Sequence, residues 1–471
     1  MGVAVSGWRL ARAVSRTGQM GVVSGTALDV VHARRLADGD PEGHLRDAYE
    51  QFPVPGVAER VLDRYFSPGG RGPGVPYPAV PTFELEPDDA LVELTVLANF
   101  AEVVLAREGG PGPIGINYLE KIQLPLVYGL FGAVLAGVDF VIAGAGIPTQ
   151  VPEVLRRLSR GEPVQYRCTV EGASRDVGAT VRFDPARRFG PLEELRRPRF
   201  LAIIASHTLA RFLTKDPATA PDGFVVEGPT AGGHNAPPRG KVRLDEDGQP
   251  VYGPKDEPDL GELAAIGLPF WLAGGYADHE QLERARQAGA EGVQVGTAFA
   301  LCAESDLAPA IKADMLARAA AGDLDVRTDP RASPSGYPFK VVQLPGTVAD
   351  PAVRDGRRRV CDLGFLRSVV VGDDAEVTYR CPAEPVSAYV RKGGSADDTD
   401  GRACLCNGLL ATVGLGQVRP GGPEPAIVTA GDDLARIAND LGPGSYTAAD
   451  VVERVLGPAL GVAAREASAS A

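Results

Sequence analysis

Between residues 223 and 297 the chain repeats one pattern, a short apolar run that ends in glycine. The runs are Gly223-Phe-Val-Val-Glu-Gly-Pro-Thr-Ala-Gly-Gly-His234, Pro269-Phe-Trp-Leu-Ala-Gly-Gly275 and Gly292-Val-Gln-Val-Gly-Thr297. An apolar run of this length predicts a buried strand, and adjacent glycines after it let the backbone approach a ligand closely. Between the second and third runs lies His279-Glu-Gln-Leu-Glu-Arg-Ala-Arg-Gln-Ala-Gly289, with helical spacing and a glycine stop. Strand, helix, strand, with glycine turns at the strands' C-terminal ends, predicts a parallel (β/α)8 barrel of the TIM type. In that fold the C-terminal ends carry the active site, and the last two strands commonly hold a phosphate.

The rest of the chain extends this reading. Apolar runs predict further strands near residues 21, 113, 140 and 201, so that seven are legible and a closed barrel of eight lacks one. Helical spacing covers Trp8 to Arg16, with Ser6 as a candidate cap, Asp88 to Arg107 and Val151 to Ser159. Gln165 to Val170 and Ala179 to Phe183 read as a two-stranded insertion within about 160–198. The polar run over about 235–260 reads as either an active-site lid or a solvated loop. The barrel is therefore placed at 1–345, and 346–471 is read as a mixed, partly irregular extension ending in a flexible tail.

Composition narrows the partners. At 471 residues the chain exceeds a bare barrel of about 250. A net charge of −13 argues against nucleic acid and anionic membrane. The most apolar stretch, Leu124 to Ile147, carries Asp139 and several glycines, so it reads as a buried helix and strand rather than a membrane span. Six cysteines in so long a chain do not make a disulfide framework, which points to the cytoplasm. Cys361, Cys381, Cys404 and Cys406 contain no Cys-x-x-Cys pair. They read as buried free thiols, so no metal is assigned, with zinc or an iron–sulfur cluster as the alternative.

The candidate chemistry lies in the glycine turns. Gly274, Gly275 and Gly296 can present backbone N–H groups, and Thr297 a hydroxyl, to a phosphate. His234 follows a glycine pair at a strand end, where a proton-transfer residue suits it, and a structural histidine is the competing reading. The Ala-Gly-Gly-His, Ala-Gly-Gly and Val-Gln-Val-Gly-Thr blocks, in this order, resemble the nitronate monooxygenase family, formerly called 2-nitropropane dioxygenase. That family includes a flavin enoyl-acyl-carrier-protein reductase branch, and the resemblance covers roughly residues 1 to 345.

The resemblance implies an FMN-dependent oxidoreductase, with His234 as the catalytic residue. It implies flavin contacts at Asn117, Gly232 and Gly233 and at the Gly274, Gly275, Gly296 and Thr297 phosphate cradle. Ser206 matches a serine of the reductase branch but serves equally well as a helix cap. Met1 and Gly2 match a glycine-methionine turn that touches the flavin, which follows a strand absent here. The expectation is that an upstream strand leads into Met1 in the natural protein, and that the barrel here is open beside Gly21 and Gly292 or is filled there by a run from outside the family pattern. The leading activity is oxidation of alkyl nitronates with O2. The alternatives are an NAD(P)H-using enoyl reductase acting on an enoyl thioester, and a non-catalytic barrel scaffold; a homodimer is left open.

Overall fold

The computed structural model describes residues 2–172, 178–191, 193–371, 376–442 and 444–457. Met1 and the tail lie outside the described residues. Seven parallel strands form one sheet: β1 (Gly21–Ser24), β2 (Ile114–Leu119), β3 (Phe140–Gly144), β4 (Arg199–Ile204), β5 (Gly223–Glu227), β6 (Phe270–Ala273) and β7 (Gly292–Gln294). They lie in chain order, each hydrogen-bonded to the next. The registers step regularly, with Asn117 opposite Ile142, Ile142 opposite Leu201, and Val225 opposite Trp271.

Period-two alternation explains why these strands read as continuous apolar runs. Ile142, Leu201, Val225 and Ala273 turn inward and pack with Met20, Val22 and Trp271. Their neighbours Val141, Phe200, Phe224 and Leu272 turn outward into the main core beneath the helices. Both faces are buried, as a parallel sheet covered by helices requires. The fold is thus the TIM-type α/β barrel that the sequence implied, with one strand lacking among the described residues. β1 and β7 are the two edges, and they do not pair with each other.

Val164–Cys168 runs antiparallel to Ala179–Phe183. Its neighbour Val170–Glu171 pairs with Val369–Val370 of the extension. The extension is less irregular than its sequence suggested, with helices at Leu405–Thr412, Leu434–Leu441 and Ala448–Leu456. Ser6 does not cap the first helix; its hydroxyl donates to the Val22 carbonyl at 2.6 Å.

The longest helix, Asp89–Arg107, starts where the Asp88 side chain accepts the Leu91 N–H at 2.9 Å. Its Glu102 is fully buried and accepts from the Trp8 N–H at 2.8 Å and Arg35 at 2.7 Å, with His32 at 3.2 Å. Burial opposes its ionisation, but the His32 hydrogen bond and the Arg35 charge outweigh this and hold the carboxyl below its usual range. A depressed carboxyl stabilises the fold above its unfolded pKa and ceases to do so as pH falls through the folded one. Glu102→Ala is expected to cost about 3–5 kcal/mol at neutral pH, because it leaves Arg35 with Asp306 alone and removes the acceptor of the Trp8 N–H and the partner of His32. Urea titration checks this: the wild-type advantage should shrink below the ordinary carboxylate range, and an unchanged midpoint at pH 7 would contradict it.

Candidate active site

A cavity of about 360 Å³ opens at the C-terminal ends of β5, β6 and β7. It reaches the barrel interior at Leu201 and Val225 and passes between the edge strands, touching Met20 on one side and Gly292 on the other. The gap between the edge strands β1 and β7 is therefore continuous with the cavity above the glycine turns.

Gly274 and Gly275 follow β6 with φ of 96° and 83°, a region that side-chain-bearing residues rarely adopt. A Cβ on Gly274 would meet the Thr230 hydroxyl at 2.9 Å, so close packing demands glycine there. Gly296 is different. Its φ of −117° needs no glycine, and a Cβ on it would stand in open space. Glycine at Gly296 suits a backbone that something else approaches.

Gly2, Gly232, Gly274, Gly275, Gly296 and Thr297 all wall this cavity. Gly233 does not; its N–H donates to Thr429 Oγ1 at 2.8 Å. Asn117, at the end of β2, walls neither this cavity nor the one beside His234. The Ser206 hydroxyl accepts the Leu209 N–H at 3.1 Å and so caps the following helix.

The extension supplies a wall that the barrel reading did not include. Gly431 N–H donates to Thr297 Oγ1 at 2.8 Å, and Asp432 N–H to the Thr230 carbonyl at 3.0 Å. A Cβ on Gly232 would meet the Ala430 carbonyl carbon at 2.8 Å. The signal was present in Ala426-Ile-Val-Thr-Ala-Gly431, another apolar run ending in glycine. Arg436 adds a positive charge at the turn: it pairs with Asp278 and donates to the Gly275 carbonyl at 3.1 Å. Asp433, whose carboxyl is pushed up by burial, also faces the cavity.

His234 does not share that cavity. It opens on a second one of about 260 Å³, and Glu227, the last residue of β5, walls both. The sequence reading put His234 beside the cradle because glycines and histidine are contiguous. The turn after Gly233, at φ 84°, instead directs the chain to pair His234 with Phe339.

A polar chain runs away from the imidazole. His234 Nε2 lies 2.7 Å from Ser333 Oγ, which lies 2.7 Å from Ser335 Oγ, and Lys121 Nζ donates to Ser335 at 3.1 Å. Burial, then the Lys121 charge, hold His234 well below its usual range, so the imidazole is neutral at neutral pH. Burial pushes Lys121 down to about 7, against the raising effect of Glu227 and Glu120. Burial likewise pushes Glu227 up. Lys121, Glu227, Ser333 and Ser335 escaped the sequence reading. Their positions are far apart in the chain, and no local pattern distinguishes them from surface residues.

Residues 188–332, which hold β4 to β7, both glycine turns and His234, match the family model for nitronate monooxygenase. That match spans under a third of the chain. A probable nitronate monooxygenase of Bacillus subtilis (strain 168) is 36% identical over 103 residues, which are 20% of this chain and 26% of that protein. The chain thus matches about a quarter of that curated relative's length.

Among solved structures, FabK from Thermotoga maritima is 17% identical with a TM-score of 0.47, over 99% of this chain and 91% of that one. Nitroalkane oxidase from Streptomyces ansochromogenes is 16% identical with a TM-score of 0.43, over 100% and 96%. Neither likeness specifies chemistry for this chain. Nitronate monooxygenases are flavoprotein oxidoreductases, generally with FMN. The cradle fits such a group, since Gly296 leaves open space where a side chain would stand and Gly274 and Gly275 expose backbone. No helix among the described residues is long and apolar enough to cross a membrane.

Proposed function

We propose that this protein is an FMN-dependent oxidoreductase that oxidises alkyl nitronates with O2. The observation that carries the reading is the open glycine cradle at β6 and β7, next to a cavity walled by a buried, neutral histidine. Gly274, Gly275, Gly296 and Thr297 hold the FMN phosphate, with Arg436 fixing the turn through the Gly275 carbonyl, while Gly2 and Gly232 border the rest of the cofactor. FMN, when bound, supplies the electron-accepting chemistry. Neutral His234 orients the substrate carbon next to the nitro group and can take a proton there. Ser333 fixes the imidazole, and the Lys121 charge beyond Ser335 helps to keep it neutral. Residues 235–256 contribute Asn235, Arg239 and Tyr252 to the wall of the histidine cavity and screen it from water. The free cysteines fit a cytoplasmic setting.

Oxygen uptake by the FMN-loaded protein with a panel of alkyl nitronates tests the reading. Turnover without a nicotinamide cofactor is the expected result. NAD(P)H-driven reduction of an enoyl thioester, with no nitronate turnover, would place the chain in the reductase branch instead.

Lys121 provides a pH-dependent prediction. Its charge lowers the His234 pKa. In Lys121→Met the acid limb of the pH–rate profile, where His234 becomes protonated, should therefore move to higher pH. A limb that stays in place would remove Lys121 from the relay.

A further inference from the structure

Four of the six cysteines meet at one place. Cys361, Cys381, Cys404 and Cys406, brought from three segments of the extension, line a single small void together with Pro334 and Leu405. Sequence spacing concealed this, because the pairs join through the fold rather than along the chain. Cys404 stands at the N-cap of the helix Leu405–Thr412, and Cys406 lies in its first turn.

Each sulfur also accepts a backbone N–H. Gly364 donates to Cys361, Ala383 to Cys381, Asn407 to Cys404, and both Phe365 and Leu366 to Cys406. The Asn407 side chain adds a further donor to Cys404 Sγ at 3.4 Å. Arg367 stands near Cys361, Arg357 near Cys404 and Arg359 near Cys381, while Glu384, paired with Lys392 at 2.7 Å, is the acid beside them. The contact with Cys361, then burial, holds Cys381 up, and burial holds Cys404 and Cys406 up, so these sulfurs are thiols until a metal displaces their protons.

A lone ion is not what this arrangement holds. A tetrahedral zinc with bonds of about 2.3 Å requires its sulfurs about 3.8 Å apart. Among the described residues no group of three or more His, Cys, Asp or Glu side chains is placed to hold a metal ion. Four sulfurs round a void instead match the way an iron–sulfur cluster is held, by one thiolate from each corner. We propose that Cys361, Cys381, Cys404 and Cys406 bind an iron–sulfur cluster in the extension.

The site adjoins the histidine loop. Pro334, in its wall, lies between Ser333 and Ser335 of the His234 relay. Arg402 donates to the Ser333 carbonyl at 2.6 Å and Ala403 N–H to the Ala332 carbonyl at 2.9 Å, tying the strand of chain before Cys404 to that loop. The cluster thus fastens the extension to the segment that orients His234.

The test is iron and acid-labile sulfide in the full chain, purified without oxygen from cells supplied with iron and cysteine. Equal amounts of iron and sulfide are expected, with a paramagnetic resonance signal after dithionite reduction that flavin alone does not give. The double variant Cys404→Ala, Cys406→Ala should lose both elements, while Cys168→Ala and Cys302→Ala, which stand apart from the void, keep them. Should the double variant fail to fold, the wild-type stoichiometry decides by itself. Iron and sulfide at background overturn the proposal, whether zinc, a Cys361–Cys381 disulfide or six free thiols are found in their place. The iron content is independent of whether FMN binds, so the two proposals fail separately.

Discussion

Gly275→Val is expected to yield protein without flavin. Valine is β-branched and does not adopt the φ of 83° found there, and its methyl groups would enter the cavity that Gly275 walls. Backbone strain could by itself lower flavin content, so Gly296→Val is the cleaner companion. At φ −117° it introduces no strain, and its Cβ meets nothing within 4 Å. Its side chain would simply occupy the space assigned to the cofactor. Both variants should fold, as judged by circular dichroism, and both should be colourless. Wild-type flavin content in Gly296→Val would show that the cradle holds something else.

His234→Asn should keep its flavin and lower turnover by about 10²–10⁴, the usual worth of a general acid or base. Flavin retention follows from geometry, because the imidazole opens on a different cavity from the glycine turns, with Glu227 between them. Asparagine also preserves a polar group that can meet Ser333, so the loop at 333–337 should stay in place. Single-turnover reduction by substrate, monitored anaerobically, separates this effect from any change in oxygen reactivity. Full turnover with the same substrate would leave His234 a structural role, as a partner for Ser333 and Phe339.

The strands and glycine turns were legible because their signals are local. An apolar run long enough for one strand, with glycine at or after its end, specifies both element and turn at five of the seven barrel strands, while β2 and β4 were legible from the apolar run alone. The open edge between Gly21 and Gly292 was legible for the same reason, since counting strands shows which two lack a neighbour. Ser206 shows the limit of local reading. A serine after a strand and before a helix fits both a ligand contact and a cap, and the structure uses it as a cap.

Residues joined only by tertiary packing were not legible. Thr429 and Gly431 reach Gly233 and Thr297 across 196 and 134 residues of chain. Lys121 meets Ser335 over a similar distance. The four cysteines from 361 to 406 read as buried free thiols because no Cys-x-x-Cys pair joins them, and only the folded loops bring them round one void. The direction of His234 was lost to a single positive φ at Gly233, which no apolar pattern encodes.

The absorbance spectrum of the purified protein, before and after incubation with excess FMN and gel filtration, tests the central claim most directly. The account predicts flavin bands, with FMN released on denaturation at one per chain. Protein that remains colourless after incubation, and retains no FMN, would contradict it.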